Sequence, residues 1–163
     1  MKVFLKNRAL LRISGLDSEI FLQNQFSNDI NKLELNRIQL NAYCQHQGKI
    51  IALVWVMRFH DSFMLSFPDD LLDKIKTRLQ MFIIMSDVLI EDISKDYLQT
   101  GLINENNSGA FSINETLSLL IESNQESNKV INTHQDEWTK ACLDSHIPEV
   151  FSKSSEKFVP QML

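Results

Sequence analysis

Glycine and proline are scarce in this chain, with four glycines and three prolines among 163 residues. That scarcity excludes collagen-like and linker-like composition, and no glycine-rich loop is present to cradle a phosphate. Cysteine is as thin. Cys44 and Cys142 lie far apart, with no second ligand at metal-like spacing. Neither a disulfide framework nor a zinc site has a basis there, and the expected setting is reducing and cytoplasmic. The opening "MKVFLKNRALLRISG" is interrupted by Lys6, Arg8 and Arg12, so it does not read as a secretory leader. Long apolar runs are missing too. The longest, Ile50 to Met57, falls far short of the roughly 20 residues of a membrane span, so a soluble chain without a membrane partner is expected. Basic clusters are absent as well, and 16 Lys+Arg against 21 Asp+Glu leave a net charge of −5. Direct nucleic-acid binding needs clustered cations and is not expected.

What is present is an ordinary globular composition, 44% hydrophobic and 23% charged. Val3 and Leu5, then Leu11 and Ile13, alternate as two short strands or one bent strand before Gly15. Asp17 or Ser18 caps a helix reaching Gln25, with Ile20 and Phe21 on its apolar face, and Ser27–Ile30 breaks it. Gln39 to Gln45 is strand-like, and Gly48 allows a turn. "IIALVWVMRFH" is a long strand, apolar on both faces at its start, and Asp61 to Phe67 is its hairpin partner. Pro68 opens a helix to about Met81, with Leu71, Leu72, Ile75 and Leu79 at helical spacing. A strand follows Ser86. The order strand, helix, strand, strand, helix, strand predicts an α+β fold, a ferredoxin-like α/β sandwich over residues 1–93.

Residues 94–163 predict a second, smaller and shortened α+β lobe. Its candidate strands are Tyr97–Ile103 and Glu115–Ser123. Asn104–Ser108 and Ser123–Asn128 are loops by composition. A helix from about Gln135 to Asp144 turns Trp138, Ala141 and Cys142 to its apolar side.

Spacing offers little chemistry. Both thiols suit a core role, and His46, His60, His134 and His146 form no visible triad. Asp69 and Asp70 are the acidic first turn of a helix, favoured by its dipole. Glu91 and Asp92 read as edge-strand charges.

The specific words of the sequence say more. "ALLRISGLDSEIFLQNQFSNDINKL" (Ala9 to Leu33) resembles the opening of the YgfZ-type folate-binding proteins, relatives of the glycine-cleavage aminomethyltransferase T-protein. Gly15, Asp17, Phe21, Leu22, Gln23, Gln25, Ser27, Asn28 and Asp29 fill the family's pattern. "CQHQGKIIALVWVMR", "LQMFIIMSDVLIED" and "EWTKACLDSHIPEVFSKSSEKFVPQML" resemble three later segments, in the same order. In the family, the Phe-x-Pro-Gln close precedes a Lys-Gly-Cys-Tyr-x-Gly-Gln-Glu signature and a C-terminal β-barrel. Neither is among these residues, so the chain reads as the N-terminal part of such a protein, and neither Cys44 nor Cys142 inherits the signature cysteine's role.

The resemblance implies a folate-binding accessory protein with tetrahydrofolate as ligand. It also implies a role in iron–sulfur cluster assembly or repair, iron–sulfur client proteins as partners, and an effect on tRNA modification. The family contacts folate through an aromatic residue before the first strand and a tryptophan on the late helix. Trp138 matches the second, while Arg8 stands in the first place, where a guanidinium pairs with a carboxylate. Asn28 and Asp29 are candidates for the pterin edge, their other reading being a helix-ending turn. Trp55 is assigned to the core. The aminomethyltransferase branch carries acidic residues just after the glycine turn. Ala52 and Leu53 stand there instead and supply no acid or base, so the enzyme is the alternative reading. A ligand-free protein-interaction remnant is the third.

Overall fold

The computed structural model describes residues 1–124 and 134–163. Its strands are β1 (Lys2–Phe4), β2 (Arg8–Ser14), β3 (Gln39–Cys44), β4 (Ile50–Phe59), β5 (Ser62–Pro68), β6 (Leu89–Asp92), β7 (Tyr97–Ile103), β8 (Phe111–Ser112) and β9 (Leu117–Ser123). The helices are α1 (Ser18–Gln25), α2 (Leu72–Met81) and α3 (Gln135–Asp144). No helix among the described residues is long and apolar enough to cross a membrane.

Two antiparallel sheets form, in the orders β3-β4-β5-β2-β6 and β1-β7-β9-β8. The five-stranded sheet is the middle layer. Ala9, Leu11, Ile13, Val54, Val56 and Leu65 point from one face into a core with Phe21 and Leu22 of α1 and Ile75 and Leu79 of α2. Leu10, Trp55, Met57 and Met64 point the other way, into a core with Val3 of β1, Leu117 and Leu119 of β9, and Trp138 of α3. A strand covered on both faces must be apolar on both faces. This is why β4 is buried from Ile50 to Met57 without alternation.

Several expectations change in detail. The alternating start is two strands in two different sheets: β2 pairs with β5 and β6, while β1 pairs with β7, Val3 opposite Gly101. The three residues between Phe4 and Arg8 thus carry the chain from one layer to the next. Ile20 is exposed, and the buried residues of α1 are Ser18, Phe21 and Leu22. Asp17 makes no cap bond to α1, because its Oδ2 accepts instead from the Asp87 N–H at 2.7 Å. Pro68 ends β5, and a 3-10 turn (Asp69–Leu71) separates it from α2. Beyond Asn124, the loop expected over Ser123–Asn128 lies outside the described residues. Gly48 has φ of +84° in the turn before β4. The aperiodic tail runs beside the start of β4, with Ile50 N–H donating to Phe158 O at 2.7 Å and Glu156 N–H to Ile50 O at 2.7 Å.

Candidate functional site

Arg8 stands at the start of β2, on the face shared with Leu10, so its side chain enters the core between the two sheets. It is buried. A guanidinium keeps its proton in a protein, so each of its donors requires a partner there. Nε donates to Ser66 Oγ at 2.8 Å, and Ser66 Oγ donates to Gln99 Oε1 at 2.5 Å. Gln99 Nε2 closes the chain on the carbonyl oxygens of Arg8 and Ala9, at 3.2 and 3.3 Å. Nη1 donates to Glu149 Oε1, forming an ion pair. Nη2 is buried and has no hydrogen-bond partner among the described residues. The flat side of the group lies 3.8 Å over the Trp55 ring, a cation–π contact inside a dry layer. Burial pulls the Arg8 pKa down, and the Glu149 carboxylate opposes that pull.

Trp55 meets Trp138 edge to face, with ring centroids 6.2 Å apart. Trp138 in turn lies against the backbone of β7 at Gly101. A Cβ on Gly101 would sit 2.7 Å from Trp138 Cδ2, and closer still to Cε3 and Cζ3. Only glycine admits the indole at that point. The helix carrying Trp138 ends at Asp144, and its irregular continuation brings Ile147, Pro148 and Glu149 back over the tryptophans.

A cavity of about 170 Å³ opens there, lined by Trp55, Trp138, Cys142, Ile147, Pro148 and Glu149 among others. Its walls are mainly aromatic and aliphatic, and among the described residues the one charged group on its lining is Glu149. Burial, with Glu149 nearby, pushes the Cys142 thiol up to about 11 against the opposing influence of Arg8. Cys142 is therefore a protonated wall residue at neutral pH, not a nucleophile. A larger groove of about 520 Å³ between Glu105 and Ser118 is shallow and lined mostly by Asn, Ser and Glu. It has neither an aromatic wall nor a buried charge, so the smaller cavity is the better candidate.

Of the four residues singled out from the sequence, the fold brings Arg8 and Trp138 to one place. Asn28 and Asp29 lie on the turn after α1 and are not on the cavity's lining. Asn28 N–H donates to Asn41 Oδ1 at 2.8 Å, and Asn28 Nδ2 to Leu40 O at 3.1 Å. Asp29 Oδ1 caps the 3-10 turn Ile30–Lys32 through Asn31 N–H, and Gln39 Nε2 holds the Asp29 carbonyl. Gln23 Oε1 accepts from Ile30 N–H at 2.7 Å. The Phe-Leu-Gln words and the Ser-Asn-Asp words are thus two halves of one hydrogen-bonded turn. None of the hydrogen bonds given for Asn28 or Asp29 runs to a residue of the cavity.

Trp55, Ser66, Gln99 and Glu149 complete the site and were missed in the sequence. Gln99 carried a weak signal, a polar residue inside a strand otherwise apolar on that face. Ala52 and Leu53 are both buried, the first against the helices and the second beside Val150.

No family model matches the sequence. The chain is 25% identical to an uncharacterized protein of Haemophilus influenzae over 162 residues, 94% of this chain and 56% of that protein. It is 31% identical over 94 residues to the tRNA-modifying protein YgfZ of Buchnera aphidicola, covering 58% of this chain and 30% of the relative. Over 90 residues it is 32% identical to an aminomethyltransferase of Exiguobacterium sibiricum, 55% of this chain and 25% of that enzyme. The chain thus spans about half the length of the first relative and under a third of the other two. Among solved structures, aminomethyltransferase T of the glycine cleavage system from Bartonella henselae matches with a TM-score of 0.56 at 12% identity, over 61% of this chain and 27% of that one. The fold, a mixed α/β arrangement of two antiparallel sheets, is similar to that of the aminomethyltransferase T class over the part matched. Within that class, the chain resembles the YgfZ-type proteins and the aminomethyltransferases over part of their length.

Proposed function

We propose that this chain is the ligand-holding part of a folate-binding accessory protein of the YgfZ type, with tetrahydrofolate as its ligand. The observation that carries the reading is that Arg8 and Trp138, far apart in sequence, pack on the same Trp55 ring beside one cavity lined by both tryptophans. Its groups fit part of a folate, with aromatic walls for a ring and a guanidinium behind a carboxylate at one end. Asn28 and Asp29 contribute by fixing the turn after α1. A folate-dependent aminomethyl transfer is less well supported, because Ala52 and Leu53 are buried apolar groups without proton chemistry.

The wider role follows the resemblance: iron–sulfur cluster assembly or repair in the cytoplasm, with iron–sulfur client proteins as partners and an effect on tRNA modification. The relatives named tRNA-modifying proteins support that direction. A ferredoxin-like description of the first sheet rests on its strand order β4-β5-β2-β6 with α1 and α2 on one face. The division into residues 1–93 and 94–163 rests on the two sheets, each built mainly from one part, β1 excepted.

Calorimetric titration with tetrahydrofolate tests the reading. Trp138→Phe keeps a ring against Gly101, and it should weaken binding about three- to tenfold, in line with ~0.5–1.5 kcal/mol for an aromatic contact. An unchanged affinity in a folded variant removes Trp138 from the site. No binding by the unaltered chain removes folate.

A further inference from the structure

We propose that the apolar loop between α2 and β6, together with Leu16 in the turn after β2, is a docking surface for another protein. The segment it takes carries apolar side chains flanked by lysine or arginine. The surface lies at the end of β2 away from Arg8, so the inference stands apart from the ligand reading and does not depend on it.

The loop is apolar without serving the core. Met81, Phe82, Ile83, Ile84 and Met85 follow one another. Ile83 packs against the helix-covered core, as does Val88 further on. The others face solvent: Met81, Phe82 and Ile84 are exposed, and Met85 is fully so. Leu89 at the start of β6 is exposed as well, and Leu16 across the turn is 92% exposed. Single exposed apolar residues are ordinary, but a run of them marks an interaction site.

A rigid interlock gathers these residues. Asp17 N–H donates to Asp87 O at 3.1 Å, and Leu16 N–H donates to Asp87 Oδ2 at 3.2 Å. Asp87 N–H donates back to Asp17 Oδ2 at 2.7 Å. Gly15 is required beneath them. Its φ is +108°, and a Cβ there would lie 2.7 Å from the Asp87 carbonyl carbon and closer still to its oxygen. Leu89 pairs with Ser14, and Met85 is held at φ of +55°, a sparsely used region for a residue with a side chain. A surface ordered before its partner arrives loses less freedom on binding. Two flexible methionines let it fit an uneven partner.

Charge selects the partner. Asp17 and Asp87 stand within this surface, and neither forms an ion pair among the described residues. The flanking Arg12 is already answered by Glu91, and Arg78 lies over Phe82 at the far end of the loop. A second copy meeting this face with its own would set the carboxylates against one another. An anionic membrane would repel them too. Lysine or arginine beside apolar side chains answers both parts of the surface.

The probe is a short amphipathic peptide of leucine and lysine, with a leucine–glutamate peptide as its counterpart, both followed by fluorescence anisotropy. The lysine peptide should bind at least about tenfold more tightly than the glutamate one. Leu16→Ser/Met85→Ser removes apolar surface without touching charge, and it should weaken binding about tenfold or more. Leu35→Ser, exposed in the turn before β3 at the opposite edge of the sheet, should leave it unchanged. Asp17→Asn/Asp87→Asn should weaken binding about threefold or more and flatten its salt dependence. Peroxide oxidation read by mass spectrometry needs no variant: saturating lysine peptide should slow oxidation of Met85 and spare that of Met162. Unprotected Met85 under bound peptide, or equal binding of the two peptides, overturns the inference. A dimer abolished by Met85→Ser also overturns it, in favour of a second copy. Binding to phosphatidylglycerol vesicles that the same variant abolishes overturns it in favour of a membrane.

Discussion

The two faces of the five-stranded sheet are built on opposite plans. Toward α1 and α2 the core is aliphatic and phenyl, closed by residues adjacent along the chain. Toward the second sheet the core holds a buried cation, a serine and a glutamine in one hydrogen-bonded line, beside two tryptophans and a cavity. A dry aliphatic layer gains from every methylene and asks for no orientation. A polar layer gains little net stability, and it holds only when all its members are in place. The first face supplies rigidity, and the second supplies a shaped, charged recess that the first holds still.

The comparison breaks most readily at its stable side. Ile75→Ala, in the middle of the helix-covered core, should cost about 2–5 kcal/mol, read as a shift of the urea midpoint at constant slope. A loss under about 1 kcal/mol would mean that this layer is not the rigid one. On the other face, Gly101→Ala pushes a methyl into the Trp138 ring. The expected cost is about 1–3 kcal/mol, with a changed near-ultraviolet dichroism from the displaced tryptophans. Gly109→Ala is its control, since a Cβ there meets nothing nearer than 3.5 Å.

The smallest effect belongs to Tyr43, the aromatic of β3 that faces the helices. Its hydroxyl is buried without a well-formed hydrogen bond among the described residues, and burial lifts its pKa from 10.0 to about 12, with Arg78 opposing. An unfolded tyrosine starts to ionise near pH 10 while the folded one keeps its proton to about 12. The unfolded chain then binds fewer protons, so stability falls as pH rises through that window. Tyr43→Phe should leave stability at pH 7 within about 0.5 kcal/mol or raise it, because no satisfied bond is lost. It should also flatten the decline measured between pH 10 and 12. A clear loss at pH 7 would show that the hydroxyl is engaged, and the plainness of the helix face would need revision.

How far the sequence spoke follows the same division. The helix-covered face was largely legible because its signals are local: Leu71, Ile75 and Leu79 repeat at helical spacing, and the turn at Gly48 joins neighbouring strands. The apolar stretch of β4 also announced a strand buried on both sides. The second face was not legible as a site, since Arg8, Trp55, Gln99 and Glu149 come from four separated segments. Each has an ordinary reading alone: a surface cation, a core indole, a strand amide, a loop acid. Resemblance pointed to Arg8 and Trp138, and the fold supplied the partners that give them meaning. Asn28 and Asp29 show the converse. Their pattern was conspicuous because a tight turn needs those side chains, and their hydrogen bonds serve that turn.

The ion pair between Arg8 and Glu149 joins residues separated by 141 positions. During synthesis the cation emerges that many positions before its anion. A nascent chain that has just exposed β6 already holds the strands and helices of its dry layer. It still lacks β7, Trp138 and the acid that neutralises Arg8. Until those arrive, the guanidinium is better left in water than buried, which keeps the back of the sheet open. Closure of that face is thereby timed to the arrival of the residues that shape the cavity.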